Sequence, residues 1–159
     1  MTEKIRVVHY LNQFFAQVGG EEKADISPGF KEGPTGPGRA LQQALAGHGE
    51  IVATLFCGDN YFAEHAAEAT EELLRQMARC KPHLLIAGPA FESGRYGVAC
   101  GAICQAAQER LGIHAVAGMD EENAGAALYC KHVYIINSGD SIVRMLPALQ
   151  RMVSLGIKL

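Results

Sequence analysis

The chain has 159 residues, enough for one domain with a real core and too few for two. Its 14 Lys and Arg against 17 Asp and Glu give a formal charge of −3, which speaks against nucleic acid or an anionic membrane as partner. Hydrophobic residues make up 48% and charged residues 19%, a globular rather than a disordered composition.

Glycine stands out. There are 18 and no Trp, and six glycines lie between Gly19 and Gly38. The start, Met1-Thr2-Glu3-Lys4-Ile5-Arg6, is charged and leads into an apolar run too brief for a signal peptide or a membrane span. The five cysteines (Cys57, Cys80, Cys100, Cys104, Cys130) are odd in number and show no C-x-x-C spacing. Free thiols in a reducing, cytoplasmic compartment are expected.

In chain order, Val7 to Leu11 reads as a first strand. A long irregular stretch follows, to Gly38. Arg39 to Ala46 reads as a helix with Leu41, Ala44 and Leu45 on one face. Ile51 to Phe56 is a second strand, and Ala63 to Arg79 a long helix striped by Ala66, Ala69, Leu73, Leu74 and Met77. Leu84 to Ala87 is a third strand. Val98 to Leu111 is a helix stopped at Gly112. Ala115 to Ala117 and Val133 to Ile136 are the fourth and fifth strands. Ile142 to Leu155 is helical, with Pro147 kinking or restarting it. Strands alternating with helices predict an α/β fold. The expectation is a single three-layer sandwich over residues 1–159, with a mostly parallel five-stranded sheet, flavodoxin-like or Rossmann-like.

In such sheets ligands bind beyond the carboxyl ends of the strands, so the loops there hold the candidates. Asn12 and Gln13 follow the first strand. Gly38-Arg39 opens a helix whose N–H groups suit an anion, although three prolines and six glycines also simply make a wide turn. The spacing is neither a Walker loop nor G-x-G-x-x-G. After the second strand, one of Asp59 and Asn60 caps the next helix and leaves the other for the crevice. After the third strand, Arg95, next to Tyr96, either grips a carboxylate or pairs with Glu92 or another surface acid. After the fourth strand, Asp120-Glu121-Glu122 is either a cation site or a solvated acidic loop. The segment Asn137 to Ser141 is expected to cap the last helix.

No metal site is expected. The histidines His9, His48, His65, His83, His114 and His132 show no ligand pairing. Cys100 and Cys104 lie one helical turn apart. Cys100 is expected in the first turn, where the helix dipole lowers a thiol pKa, unless both thiols are buried and inert. Arg95 for a carboxylate and Glu121 or Glu122 for a cation together suit a small amino acid or an N-methylated relative.

Several segments then carry a resemblance. They are His9-Tyr10-Leu11-Asn12-Gln13-Phe14-Phe15, Gly19-Gly20-Glu21-Glu22-Lys23-Ala24-Asp25, Gly36-Pro37-Gly38-Arg39-Ala40-Leu41 and Cys57-Gly58-Asp59-Asn60-Tyr61-Phe62. Further along stand Ala87-Gly88-Pro89-Ala90-Phe91, Gly94-Arg95-Tyr96-Gly97 and Met119 with Glu121-Glu122-Asn123. In this order they resemble the N-terminal part of the substrate-specific selenoprotein B component of the glycine/sarcosine/betaine reductase family, along nearly the whole chain.

The resemblance implies reductive cleavage of a C–N bond in glycine or a related amine, in anaerobic bacteria. It implies that a selenocysteine of component B attacks the substrate α-carbon and releases the amine, and that the carboxymethyl group passes to selenoprotein A. A further component then yields acetyl phosphate, and a pyruvoyl-containing subunit belongs to the glycine form. Family members are much longer, and their Sec-x-x-Cys or Cys-x-x-Cys motif lies downstream of the part matched here. Selenocysteine and pyruvoyl group are thus expected elsewhere in the complex and no cofactor in this chain. The partners implied are a small amine or amino acid, the other reductase subunits and, compatibly, a second copy of the chain. Two readings stand: a substrate- or subunit-binding domain of the reductase component, or a stand-alone non-catalytic module that binds a small amino acid or a partner protein. On both, the bet for the site is Asn12, Gln13, Gly38, Arg39, Asp59, Asn60, Arg95, Tyr96, Glu121 and Glu122. A phosphorylated cofactor at Gly36-Pro37-Gly38-Arg39 is a weaker third.

Overall fold

The computed structural model describes residues 4–159, so Met1 to Glu3 of the charged start lie outside the described residues. A six-stranded mixed sheet runs through the middle, in the order β2-β3-β1-β4-β5-β6. Its strands are β1 (Ile5–Asn12), β2 (Gly29–Glu32), β3 (Gly49–Cys57), β4 (Leu84–Ala87), β5 (His114–Met119) and β6 (Tyr134–Asn137). β1 pairs parallel with β3 and β4, and β4-β5-β6 continue in parallel. Only β2 runs antiparallel, against β3.

Helices cover both faces, in a three-layer arrangement. On one side α1 (Gly38–Leu45) and α6 (Met145–Lys158) set Leu41, Leu45, Leu149, Met152 and Val153 against Val7, Ile51, Ile86 and Val116. On the other side lie α2 (Asp59–Glu64), α3 (Ala66–Cys80), α4 (Gly94–Leu111) and α5 (Ala124–Tyr129). There Phe62, Leu73, Met77, Ile103 and Ala126 join a core with Val8, Tyr10, Leu55, Leu85 and Ala117. Alternate residues of β1 thus enter different cores, which is why the strand reads as a continuous apolar run.

The five expected strands are present, and the sheet gains a sixth. β2 lies inside the glycine-rich stretch, where the sequence predicts no regular element. α5 is also additional. The long helix is broken at His65, whose backbone (φ −132, ψ 44) is not helical, into α2 and α3. α4 starts at Gly94 rather than Val98. Pro147 does not kink the last helix, because it is only the third residue of α6. In a first turn the missing N–H has no intrahelical partner to lose. The Ile142–Arg144 segment before it is a 3-10 turn capped by Ser141, which accepts from the Val143 N–H.

Two glycine contacts set the carboxyl edge. Gly36 has φ +54 and packs under the Phe15 carbonyl, where a Cβ would collide with backbone. Gly97 of α4 and Gly125 of α5 let the two helices touch backbone to backbone, with Asn123 wedged against Gly97. Gly125→Ala is therefore expected to lower stability by about 1–3 kcal/mol through overpacking. Urea unfolding checks it: the midpoint falls at unchanged m-value.

Candidate functional site

The order of the parallel strands reverses at β1, between β3 and β4, so the crevice predicted by the fold opens beyond Asn12 and Ala87. Register places Asn12 beside Cys57, two residues before Asp59. The Asn12 Nδ2 donates to Asp59 Oδ2 at 3.0 Å, and the Asn12 Oδ1 accepts from the Phe15 N–H at 3.0 Å. Gln13 Oε1 accepts from the Asp59 N–H at 3.0 Å. All three side chains are buried. Asp59 does not cap α2, because Gly58 holds that position. Asn60 is half-buried, and its N–H donates to the Ala24 carbonyl at 2.9 Å.

Asp59 Oδ1 has no partner. Burial pushes the carboxyl above the ordinary aspartate range, Asn12 and Arg95 pull it back, and Glu21 pushes it up again. Close by, Tyr10 and Tyr96 are fully buried and meet edge to face with ring centroids 6.2 Å apart. Phe15 lies 6.0 Å from Tyr96 and 6.2 Å from Phe91. Both tyrosine hydroxyls are also without a partner, and burial pushes both phenols far up. A buried polar atom left unpaired costs about 1–3 kcal/mol. Three on coupled side chains at one end of a sheet mark this as the place to look for a polar ligand.

Arg95 does not point into the core. It pairs with Glu21 at 3.2 Å, and both side chains face solvent. Of the alternatives drawn from the sequence, the surface-acid pairing is the one seen, with an acid 74 residues away in place of Glu92. Such an exposed pair contributes about 0–1 kcal/mol. It ties the 3-10 turn Glu21–Lys23 to the start of α4.

Glu121 and Glu122 are exposed, and no ion pair or side-chain hydrogen bond among the described residues joins them to Arg95. Glu121 lines a shallow groove with Met119, Ala126, Ala127, Cys130, Ile135 and Asn137. Gly38 is buried and Arg39 exposed. Their N–H groups already serve the loop, bonding Thr35 O and Gly36 O at 2.8 and 3.1 Å, which takes them from the anion cradle expected there.

The thiols are not poised for attack. With α4 beginning at Gly94, Cys100 sits in the second turn rather than the first, fully buried. Burial pushes Cys100 and Cys104 far up and Cys57 up to about 12. At neutral pH all three are protonated. Among the described residues no cluster of three or more His, Cys, Asp or Glu is arranged for a metal.

Two polar residues escaped the sequence reading. Asn123 caps α5 through Oδ1, and its Nδ2 donates to the Phe91 and Ser93 carbonyls, at 2.9 and 3.0 Å, locking the loop after β4. His9 is fully buried in mid-strand; its ring Nε2 donates to the Gly88 carbonyl at 2.7 Å, and Nδ1 faces Gly38 without a partner. The signal for both was a polar side chain inside or just after an apolar run.

The family profile for glycine/sarcosine/betaine reductase selenoprotein B matches residues 4–159. The chain belongs to that family. It is 54% identical over 156 residues to a glycine reductase complex component B subunit gamma of Carboxydothermus hydrogenoformans, covering 98% of this chain and 36% of that one. It is 47% identical to a sarcosine reductase complex component B subunit beta and 36% identical to a betaine reductase complex component B subunit beta, both of Peptoclostridium acidaminophilum. These alignments cover 98% and 97% of this chain, and 36% and 35% of the relatives. The chain thus spans about a third of the length of the curated relatives it matches. No solved structure matches it.

Burial holds the His9 pKa down at about 4, against 6.5 for a free imidazole. The unfolded chain takes the proton first, so the stabilisation is complete above pH 6.5 and is lost as pH falls from there toward 4. The loss is on the order of 3 kcal/mol. Asp59 works in the opposite sense, since its carboxyl is raised in the fold. Comparing wild type with His9→Gln, which can still donate to Gly88 but does not titrate, isolates the histidine. Urea unfolding at successive pH values should show the smaller acid loss in H9Q. Equal slopes would remove His9 from the account.

Proposed function

We propose that this chain is the substrate-binding part, the N-terminal one, of a component B subunit that takes part in reductive cleavage of the C–N bond of glycine, sarcosine or betaine. The observation that carries the reading is the buried carboxyl oxygen of Asp59, unpaired at the strand-order reversal and close enough to Tyr10 and Tyr96 to act on their phenols. A substrate ammonium suits that environment twice: it pairs with the carboxylate, and it gains from aromatic faces. Arg95 is close enough to influence the Asp59 charge. Released from Glu21, it offers a substrate carboxylate the opposite sign. Asp59 thereby takes over the part that the sequence assigned to Glu121 or Glu122.

On this reading the domain binds and orients the amine, while Asn12 and Gln13 hold Asp59 in place. The attacking atom comes from elsewhere in the assembly, as the resemblance implies, and the buried thiols Cys57, Cys100 and Cys104 stay protonated. The selenocysteine and the pyruvoyl group implied by the resemblance belong there too, with selenoprotein A and the remaining subunits as partners in the cytoplasm. The five parallel strands, numbered among themselves, follow the order 2-1-3-4-5, which supports a flavodoxin-like core. No helix among the described residues is long and apolar enough to cross a membrane.

A non-catalytic module that binds a small amino acid would use the same site. Its mark is binding without turnover when the other reductase components are supplied.

Titration calorimetry with glycine, sarcosine and betaine tests the reading. One of them is expected to bind in the millimolar range. For glycine or sarcosine, whose ammonium donates, Asp59→Asn should weaken it about tenfold to a hundredfold, the size of a lost charge-assisted hydrogen bond. For betaine, which has no N–H, the loss is that of the ion pair alone. Arg95→Ala should weaken it severalfold. Absence of binding by all three, or equal binding to D59N, overturns the assignment.

A further inference from the structure

The two edges of the sheet are treated differently. Both edge strands are four residues long, but β2 runs antiparallel and carries Lys31 and Glu32. Charge is one way an edge strand is blunted against further pairing. At the other edge β6 pairs only with β5, and its residues Tyr134 to Asn137 include no charge.

Around β6 the apolar surface is concentrated. Of the seven large hydrophobics exposed among the described residues, five fall here: Leu128 on α5, Tyr134 on β6, Ile142 and Val143 in the turn that follows, and Leu146 on α6. Val143 is 86% exposed. Single exposed apolar side chains need no explanation, but a run of them along one edge marks an interaction surface. Grooves flank the same strand. One of about 490 Å³ is lined by Gln108, His114, Cys130, His132 and Tyr134, and one of about 320 Å³ by Asn137, Ser138, Arg144 and Arg151.

The relatives say what size of partner is in question. The chain accounts for 98% of itself but only 36% of the Carboxydothermus subunit, so about two thirds of that polypeptide has no counterpart here. We infer that the β6 edge, from Leu128 to Leu146, is the seat of that remaining part of a family-length subunit. It covers the exposed apolar residues and packs along β6. The inference rests on family membership and not on the substrate reading above.

Cys130 supplies a native reporter, because it is exposed and lines the groove beside Tyr134. In the isolated 159-residue chain its thiol should alkylate readily, followed by mass spectrometry. The comparison protein is a family-length chimaera in which residues 4–159 replace the matching 156 residues of the Carboxydothermus relative. There Cys130 should react at least tenfold more slowly, while a cysteine introduced by Phe30→Cys at the β2 edge stays equally reactive in both. A second measurement does not need the chimaera to fold. In the unmodified relative, amide exchange over the strand aligned with Tyr134–Asn137 should be slower than over β6 of the isolated chain. Unchanged Cys130 reactivity or unchanged β6 exchange overturns the inference. So does protection that appears in the isolated chain and disappears on dilution, which would assign the face to a second copy. Protection that arises only when other reductase subunits are added would assign it to them and overturn it equally.

Discussion

The burial of β1 on every side governs this structure. The strand lies between β3 and β4, beneath helices on both faces, and residues 7–12 are all buried. Every polar group it carries must therefore find its partner inside the protein. His9 does so by donating to the Gly88 carbonyl, which fixes the chain where it leaves β4. Asn12 does so through Asp59 and the Phe15 N–H, which fixes the exit of β3 and the turn after β1. The ends of β1, β3 and β4 are thus tied together by polar side chains of β1. Two polar atoms of the strand find nothing, His9 Nδ1 and the Tyr10 hydroxyl, and Tyr10 stands beside Tyr96, whose hydroxyl has the same deficit.

The long glycine-rich segment makes sense as scaffolding for that arrangement. Its turn at Ala24 accepts from the N–H groups of Asn60 and Tyr61, and Ile26 O accepts from Gly58. Gly58 has no room for a side chain against the Ala24 backbone. Lys31 reaches back to the Ala16 carbonyl at 2.7 Å. The segment therefore holds the first turn of α2 in place and carries Glu21 to the start of α4, opposite Arg95. Among its glycines, Gly36 lies against the Phe15 backbone, while Gly29 and Gly38 lie against the side chains of Phe56 and His9.

The elements that were legible in the sequence are those whose side chains pattern. β1, β3, β4 and β5 are largely buried, β6 lies in a short run with Val133, Ile135 and Ile136, and α1 and α3 have clear apolar stripes, so the apolar pattern finds them. β2 was hidden because an antiparallel edge strand is held by backbone hydrogen bonds, and Gly29-Phe30-Lys31-Glu32 sits among turn residues. α5 was hidden because Ala124 to Tyr129 is short and its contact with α4 depends on glycine, which has no side chain to show. The candidate residues around Asn12, Gln13 and Asp59 were found because they follow strand ends. Their mutual bonds were not visible, since residues 12 and 59 meet only through the β1–β3 pairing. The Glu21–Arg95 pair spans 74 positions and needs the folded loop. His9 looked like a strand residue, and its partner is a carbonyl, which no side-chain pattern reports.

The unsatisfied atoms and the raised Asp59 carboxyl are two expressions of one cost. Burial makes the charged carboxylate expensive, and one hydrogen bond from Asn12 does not offset it fully, so the carboxyl holds its proton more firmly than a free aspartate does. A cation bound at Oδ1 removes the same penalty by another route. On the proposed reading proton and ammonium compete for one oxygen, and the site takes up its substrate cation most readily once the proton has left. The Glu21–Arg95 pair acts on this balance from the surface, with Glu21 favouring the proton and Arg95 opposing it. Opening that pair to receive a substrate carboxylate would spread Arg95 over two acids. The anionic end of the ligand would then favour, through Asp59, the retention of its own cationic end.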